Sequence, residues 1–130
     1  MNVVDSSAWL EYFANGPNAR CFAPAVEKTT DLLVPSLTLF EVFKRILLQR
    51  DEGAALQAVA VMQQARIIDL DSPLALTAAR LSTELRLPLA DSVILATART
   101  HNAVLWTQDA DFKGLPRVEY RKPRPGRDAV

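Results

Sequence analysis

The sequence begins with MNVVDSSAWL, residues 1–10, in which a short apolar, β-branched run ends at Asp5. Such a run is typical of a buried strand. Ser6 or Ser7, which follow the run, can be the N-cap of a first helix. Three more short apolar runs, each followed by a helical pattern or a polar loop, lie at 32–34, 67–70 and 104–106. Short strands that alternate with helices indicate a parallel sheet with helices on both faces.

The segments between these strands have apolar residues at helical spacing, which predicts that they form helices. Pro24 in the second helix requires a break or a kink, and Ser72 before Pro73 is typical of an N-cap at a helix start. The expected helices cover approximately 6–14, 19–28, 36–51, 54–65, 72–86 and 90–101, and a last edge strand is expected at 118–120. We therefore expect an α/β three-layer sandwich with a central parallel sheet of about four to five strands.

Length and composition narrow the range of protein classes to which this chain can belong. The 130 residues fit one domain, 1–130, in which 121–130 is expected to be a loose basic tail. Fifteen basic and fifteen acidic side chains exclude a uniformly basic nucleic-acid clamp. The single cysteine, Cys21, excludes an internal disulfide, and the single histidine is His101. There is neither a secretory leader nor an apolar run of about 18 residues, so we expect a cytoplasmic protein that does not enter the membrane.

A parallel sheet would bring acidic residues from distant segments to one edge. Asp5 ends the first strand, and Asp109 follows the fourth. Glu41 and Asp91 lie in the first turns of predicted helices. Because the carboxyl end of a strand and the start of the next helix lie at the same edge, four carboxylates can converge there. Asp111 can join them as a fifth.

A cluster of this kind must be neutralised by protons or by hard cations. Two bare carboxylates about 4 Å apart repel by about 4 kcal/mol at an effective dielectric constant of about 20. Mg²⁺ or Mn²⁺ suits an all-oxygen ligand set and binds through carboxylates, waters and substrate phosphates. The pattern therefore favours metal-assisted hydrolysis of phosphodiester bonds.

Each acid also has a purely structural interpretation. Thr38 and Glu41 have the spacing of a capping box, and Asp91 can be a first-turn acid that the helix dipole favours. Asp109 and Asp111 can be ordinary loop acids. Only the joint placement of the acids favours chemistry over these alternatives.

Four segments resemble, in order and over essentially the full chain, the motif regions of PIN-domain nucleases, and most closely those of VapC-type toxins. They are VVDSSAWL at 3–10, SLTLFEV at 36–42, LPLADSVILATA at 87–98 and LWTQDADF at 105–112. The resemblance implies a PIN-like fold and a Mg²⁺- or Mn²⁺-dependent endoribonuclease, the toxin of a type II toxin–antitoxin system. It also implies a homodimer and a cognate VapB-type antitoxin as partner.

The resemblance assigns roles to individual residues. The positions that match the catalytic acids of the family are Asp5, Glu41, Asp91 and Asp109. Of these, the implied metal ligands are Asp5, Asp91 and Asp109. The implied supporting residues, two hydroxylated and one acidic, are Ser6, Thr107 and Asp111.

RNA must approach an acidic site, so basic residues are expected around it. Residues 117–127 hold five basic side chains against one acid. In this segment Arg121, Lys122 and Arg124 are candidate phosphate contacts; the alternative is a solvated tail. Lys44 and Arg45, within a turn of Glu41, are further candidates.

Two other functions are compatible with part of the pattern. A haloacid-dehalogenase-like phosphatase also has an Asp after its first strand, but it needs a second Asp two residues later, where this chain has Ser7. A non-catalytic PIN-like binding module would not require the four acids. Metal-dependent RNA cleavage separates a nuclease from such a module.

Overall fold

A parallel sheet of five strands forms the centre of the computed structural model, which describes residues 1–125. The strands are β1 (Asn2–Val4), β2 (Leu32–Pro35), β3 (Arg66–Ile68), β4 (Val104–Thr107) and β5 (Val118–Tyr120). Their order is β3-β2-β1-β4-β5, so β1 is central, with Val3 opposite Leu33 on one side and Leu105 on the other. The expected parallel α/β sheet is confirmed, with five strands.

Helices cover both faces of this sheet. They are α1 (Ser6–Phe13), α2 (Ala19–Glu27), α3 (Ser36–Gln49), α4 (Glu52–Met62), α5 (Ser72–Leu85) and α6 (Leu89–Thr100), with short 3₁₀ helices at Thr29–Asp31 and Ala110–Phe112. None of the helices within residues 1–125 is both long and apolar enough to cross a membrane.

The two faces of the sheet carry separate apolar cores because successive strand residues point to opposite faces. Val3 packs in the core formed with α5 and α6, and Val4 packs in the core formed with α1 to α4. All residues of α6 from Ser92 to Ala98 are buried, because this helix contacts both the sheet and α5. Because helices and apolar cores lie on both faces of the sheet, the expected three-layer sandwich is confirmed. Full burial of one large aliphatic side chain in these cores contributes about 1.5–3 kcal/mol.

In two helices an aspartate caps the start one to two residues earlier than the sequence predicts. Asp71, and not Ser72, is the N-cap of α5, where its Oδ1 accepts from the Leu74 N–H at 2.9 Å. Likewise α4 begins at Glu52, because Asp51 Oδ1 accepts from the Ala54 N–H at 2.7 Å. In both cases an aspartate provides a better-placed acceptor for the orphan N–H groups of the first turn.

Pro24 does not divide the second helix as predicted. The structure has one helix, α2, on both sides of Pro24, and the proline itself is exposed to solvent. The backbone carbonyl that loses its partner at a proline can then bind water, which lowers the cost of keeping the helix continuous.

Candidate functional site

Two acidic residues lie at the carboxyl edge of the two central strands. Asp5 follows β1 directly, and its backbone N–H donates to Trp106 O at 2.9 Å. Thr107, the last residue of β4, donates from Oγ1 to Asp5 Oδ2 at 2.9 Å and accepts from the Asp109 N–H at 2.9 Å. The pairing of β1 with β4 therefore brings Asp5 and Asp109 to one edge of the sheet.

Asp91 reaches the same edge from the first turn of α6. One carboxylate oxygen each of Asp91, Asp109 and Asp111 lie within 4.8 Å of one another. The Asp111 N–H donates to Asp109 Oδ1 at 2.9 Å, which keeps the two acids of this loop side by side. Asp111, to which the family resemblance gives only a supporting role, thus belongs to the same group as Asp91 and Asp109.

Burial and like charge both act against bare carboxylates at this edge. Asp5 is 4% exposed, and burial raises its pKa to about 6, with a smaller contribution from the charge of Asp109. Hydrogen bonds from Ser7 and Thr107 lower the same pKa in part. Partial burial, followed by the charges of Asp109 and Asp5, raises the pKa of Asp91 to about 8. Such shifts arise where carboxylates share a site without a compensating cation.

Ser7 is a polar contact of Asp5 that the sequence analysis did not identify. Its Oγ donates to Asp5 Oδ2 at 2.8 Å and accepts from the Gln108 N–H at 3.0 Å. Ser7 and Thr107 therefore hold the same carboxylate oxygen from two elements, α1 and β4. The signal in the sequence was its position two residues after Asp5, where a hydroxyl in the first turn of a helix can reach back.

Glu41 does not form a capping box with Thr38. Thr38 Oγ1 donates to Pro35 O at 2.6 Å, while Glu41 Oε1 accepts from Ser6 Oγ at 2.6 Å. This contact joins α3 to the first residue of α1, next to Asp5. The capping-box interpretation of Glu41 is therefore wrong, and its carboxylate accepts from the residue beside the buried acid.

The candidate RNA contacts of α3 lie on its exposed side. Lys44 Nζ lies 5.6 Å from the centroid of the Phe40 ring. Arg45 lines a cleft of about 600 Å³ between α1, α3 and α4, which Ser7 and Gln108 also line. The cleft therefore extends from α3 and α4 to the neighbours of Asp5.

The basic tail is more ordered at its start than the sequence suggests. Arg124 donates from Nε to Asn18 Oδ1 at 3.0 Å, and from Nη2 to Pro17 O. Arg121 Nη1 lies 3.4 Å from Glu119 Oε2. Residues 121–125 form no helix or strand, but Lys122 and Arg124 are partners of a buried polar side chain, Asn18, and the loose tail stays a prediction. Arg127 and the rest of 126–130 lie outside the described residues.

The acidic group fits a hard divalent cation. Its donors are carboxylate oxygens, which Mg²⁺ and Mn²⁺ prefer, and a cation would remove the repulsion that raises the pKa of Asp91. The histidine that a softer metal would favour is remote, since His101 follows the far end of α6 and its Nδ1 lies 3.0 Å from Thr97 O. The chemistry of the donor set therefore supports a magnesium or manganese site.

Comparison with known proteins gives one family and a consistent set of folds. The sequence matches the PIN domain family over residues 3–118. No curated protein sequence matches the chain.

Several solved structures share the fold over nearly the whole chain. A toxin–antitoxin complex from Klebsiella pneumoniae is 24% identical, with a TM-score of 0.78 over 92% of this chain and 96% of that one. The sarcin–ricin loop cleaving toxin VapC20 of Mycobacterium tuberculosis is 18% identical, with a TM-score of 0.75 over 96% and 100%. VapBC2 from Rickettsia felis, bound to a DNA fragment from its promoter, is 17% identical, with a TM-score of 0.70 over 92% and 96%.

Proposed function

The chain belongs to the PIN-domain family of nucleases, and we propose that it is a Mg²⁺- or Mn²⁺-dependent endoribonuclease, the toxin of a type II toxin–antitoxin system. The observation that carries this proposal is the convergence of Asp91, Asp109 and Asp111 at the sheet edge where Asp5 is buried. A nuclease needs such a group to hold its metal, whereas a packing role gives no reason to assemble four acids.

The proposed roles of the acids follow from their environments. Asp5, Asp91 and Asp109 hold the metal, and Asp111 either binds it directly or orients Asp109 through its N–H. Glu41 acts at the margin of the site, where Ser6 holds its carboxylate. A bound Mg²⁺ or Mn²⁺ supplies charge stabilisation of the phosphodiester and lowers the pKa of an attacking water. Ser7 and Thr107 fix the orientation of the Asp5 carboxylate.

RNA is proposed to reach the site across the basic side chains nearest to it. Lys44 and Arg45 extend from α3, the helix that carries Glu41, and Arg121 and Lys122 follow β5 at the carboxyl edge of the sheet. Contacts of this kind bind phosphates and carry no sequence information by themselves. Arg124 is the exception among the candidates, because its guanidinium contacts Asn18 and Pro17.

The proposal includes a homodimer and a VapB-type antitoxin in the cytoplasm. Two of the structural neighbours are complexes of a toxin with an antitoxin. This chain also exposes large apolar side chains on its helices, and such surfaces mark sites of protein association. The most exposed of them are Phe40, Leu48, Leu56, Leu76 and Leu89.

Cleavage of RNA tests the proposal. The purified protein should cut single-stranded RNA internally with Mg²⁺ or Mn²⁺, and EDTA should stop the reaction. Asp5→Asn and Asp91→Asn should each lower the cleavage rate by about 100-fold or more, because each removes a ligand charge from the site. Rates are measured on a labelled RNA, with the fold of each variant checked by circular dichroism.

Asp31→Asn is the matched control. Asp31 is an acid of the same kind that precedes β2 and forms an ion pair with Lys28 at 2.9 Å, so this variant should cleave at the wild-type rate. Wild-type protein that binds RNA without cutting it would identify a non-catalytic binding module. A covalent phosphate on Asp5 would instead identify a phosphatase of the haloacid-dehalogenase type.

A further inference from the structure

Asn18 is a buried amide whose hydrogen bonds leave its own helix. It is 4% exposed and lies at the N-cap of α2, yet its side chain makes no cap hydrogen bond. Instead Nδ2 donates to Gln108 Oε1 at 2.6 Å and to Lys122 O at 2.9 Å, and Oδ1 accepts from Arg124 Nε at 3.0 Å. An asparagine at this position normally satisfies the helix start, so here the amide serves contacts between distant segments.

The turn before Asn18 fixes where this amide lies. The Asn18 N–H donates to Glu11 Oε2 at 2.8 Å, which ties the turn to α1. A Cβ on Gly16 would lie 1.9 Å from Glu11 Oε1, so a larger residue there would displace the Glu11 carboxylate from the turn. Asn15 in the same turn has a left-handed backbone, with φ of 53°. The turn therefore sets the position of the Asn18 backbone, and the contacts of the Asn18 side chain are not the only contacts that hold this residue in place.

Gln108 connects Asn18 to the acidic site. It lies between Thr107, which contacts Asp5, and Asp109, which belongs to the acidic group. Its backbone N–H donates to Ser7 Oγ, and Ser7 donates to Asp5 Oδ2 at 2.8 Å. A shift of Gln108 would thus move both the contact that orients Asp5 and the start of the loop that carries Asp109.

We propose that Asn18 is a positioning residue of the active site, which holds the Gln108 loop against residues 122–124 and thereby sets the geometry of Asp5 and Asp109. The inference rests on the proposed function for its effect on RNA cleavage. We name residues 122–124 the strap, because the Lys122 carbonyl and the Arg124 guanidinium both contact the Asn18 amide. The first residues of the basic tail therefore have a role in the fold of the site, besides any contact with RNA.

The test compares Asn18→Ala with Asn2→Ala. Both variants remove one asparagine amide, but Asn2 Oδ1 accepts from Trp106 Nε1 at 2.8 Å at the opposite, amino edge of the sheet. Asn18→Ala should raise the Kd for Mn²⁺, measured by electron paramagnetic resonance, by about tenfold. It should lower kcat on RNA by about tenfold, because the acids move. Gln108→Ala leaves the contacts of Asn18 with residues 122–124 in place, so this variant should lower kcat by a similar factor and leave KM within about twofold.

Gln108→Ala removes the Gln108 contact while Asn18 remains, and it gives the same test should Asn18→Ala fail to fold. The Asn18→Ala/Gln108→Ala double variant should lose no more than the worse single variant, because the two residues act through one contact. Additive losses would overturn action through Gln108. Wild-type Mn²⁺ affinity and kcat in Asn18→Ala and Gln108→Ala, or equal losses in Asn2→Ala, would overturn the positioning role.

The Mn²⁺ measurement separates this inference from the proposed function. Wild-type protein that cleaves no RNA would contradict the proposed function alone, and the Kd for Mn²⁺ of each variant would still decide the role of Asn18. Conversely, normal cleavage with unchanged Mn²⁺ affinity in both variants would uphold the nuclease and overturn the positioning role.

Discussion

At Asp91, a partly buried position and two neighbouring carboxylates raise the pKa to about 8 from an ordinary value of 3.8. The folded protein therefore holds this proton more tightly than the unfolded chain does. The resulting stability is fully present below about pH 4 and is lost as the pH rises through about 8. Asp5 contributes in the same direction, and its part of the stability is lost as the pH rises from about 4 through about 6. Metal-free protein should consequently be less stable at pH 8.5 than at pH 5.

Asp91→Asn isolates this effect, because an amide does not ionise. In EDTA we expect the variant to gain stability relative to wild type between pH 5 and pH 8.5, by about 1–2 kcal/mol, since solvent screens part of the repulsion. Thermal unfolding at the two pH values measures the difference. Asp31→Asn should show no such gain, because Lys28 lowers the pKa of Asp31. Parallel pH profiles for wild type and Asp91→Asn would contradict the assignment.

At the scale of the element, the start of α5 shows how one side chain stabilises a helix away from the site. Asp71 Oδ1 accepts from the Leu74 N–H, while Ser72 is the first helical residue and makes no cap hydrogen bond among the described residues. Asp71→Ala should lower the free energy of unfolding by about 1 kcal/mol, because the first turn loses its acceptor. Ser72→Ala should change it by less than about 0.5 kcal/mol. Urea denaturation measures both, and the reverse order would show that Ser72 caps the helix.

At the scale of the whole molecule, zero net charge means that only local basic surfaces can attract RNA. Arg121→Gln with Lys122→Gln removes two charges beside the site but keeps the Lys122 carbonyl and Arg124 of the strap. In an Asp91→Asn background, the log–log salt slope of single-stranded RNA binding should become shallower by up to about 1.4, or about 0.7 for each lost phosphate contact. Fluorescence anisotropy across a salt series measures the slope.

Arg66→Gln with Arg80→Gln is the charge-matched control for that experiment. Both residues are exposed, Arg66 at the first residue of β3 and Arg80 on α5, away from the acidic group. The control should leave the salt slope unchanged. A slope that changes equally in the two double variants would indicate a general charge effect, and an unchanged slope in both would direct attention to Lys44 and Arg45.

The sequence by itself determined the layers of the fold and the edge at which the acids lie. Short β-branched runs between amphipathic segments can bury both faces only as a parallel sheet between helices, and this property is local to each segment. Asp5 follows β1 directly and Asp109 comes two residues after β4, so the common direction of parallel strands places both at the carboxyl edge. The resemblance of the motif segments to PIN-domain nucleases predicted the reaction, which is metal-dependent cleavage of RNA.

Only the tertiary structure decided which side chains meet. Asn18 finds its partners 90 to 106 positions along the chain, and Ser6 reaches Glu41 across 35. A local pattern gives no distance between such segments, so on the sequence of Glu41 alone the capping box with Thr38 is the favoured interpretation. Hydrogen bonding of buried polar groups made the selection, because a group removed from water is destabilising unless the packed elements supply a partner. Asn18, Ser7 and Glu41 therefore have hydrogen-bond partners that their neighbours in the sequence do not indicate.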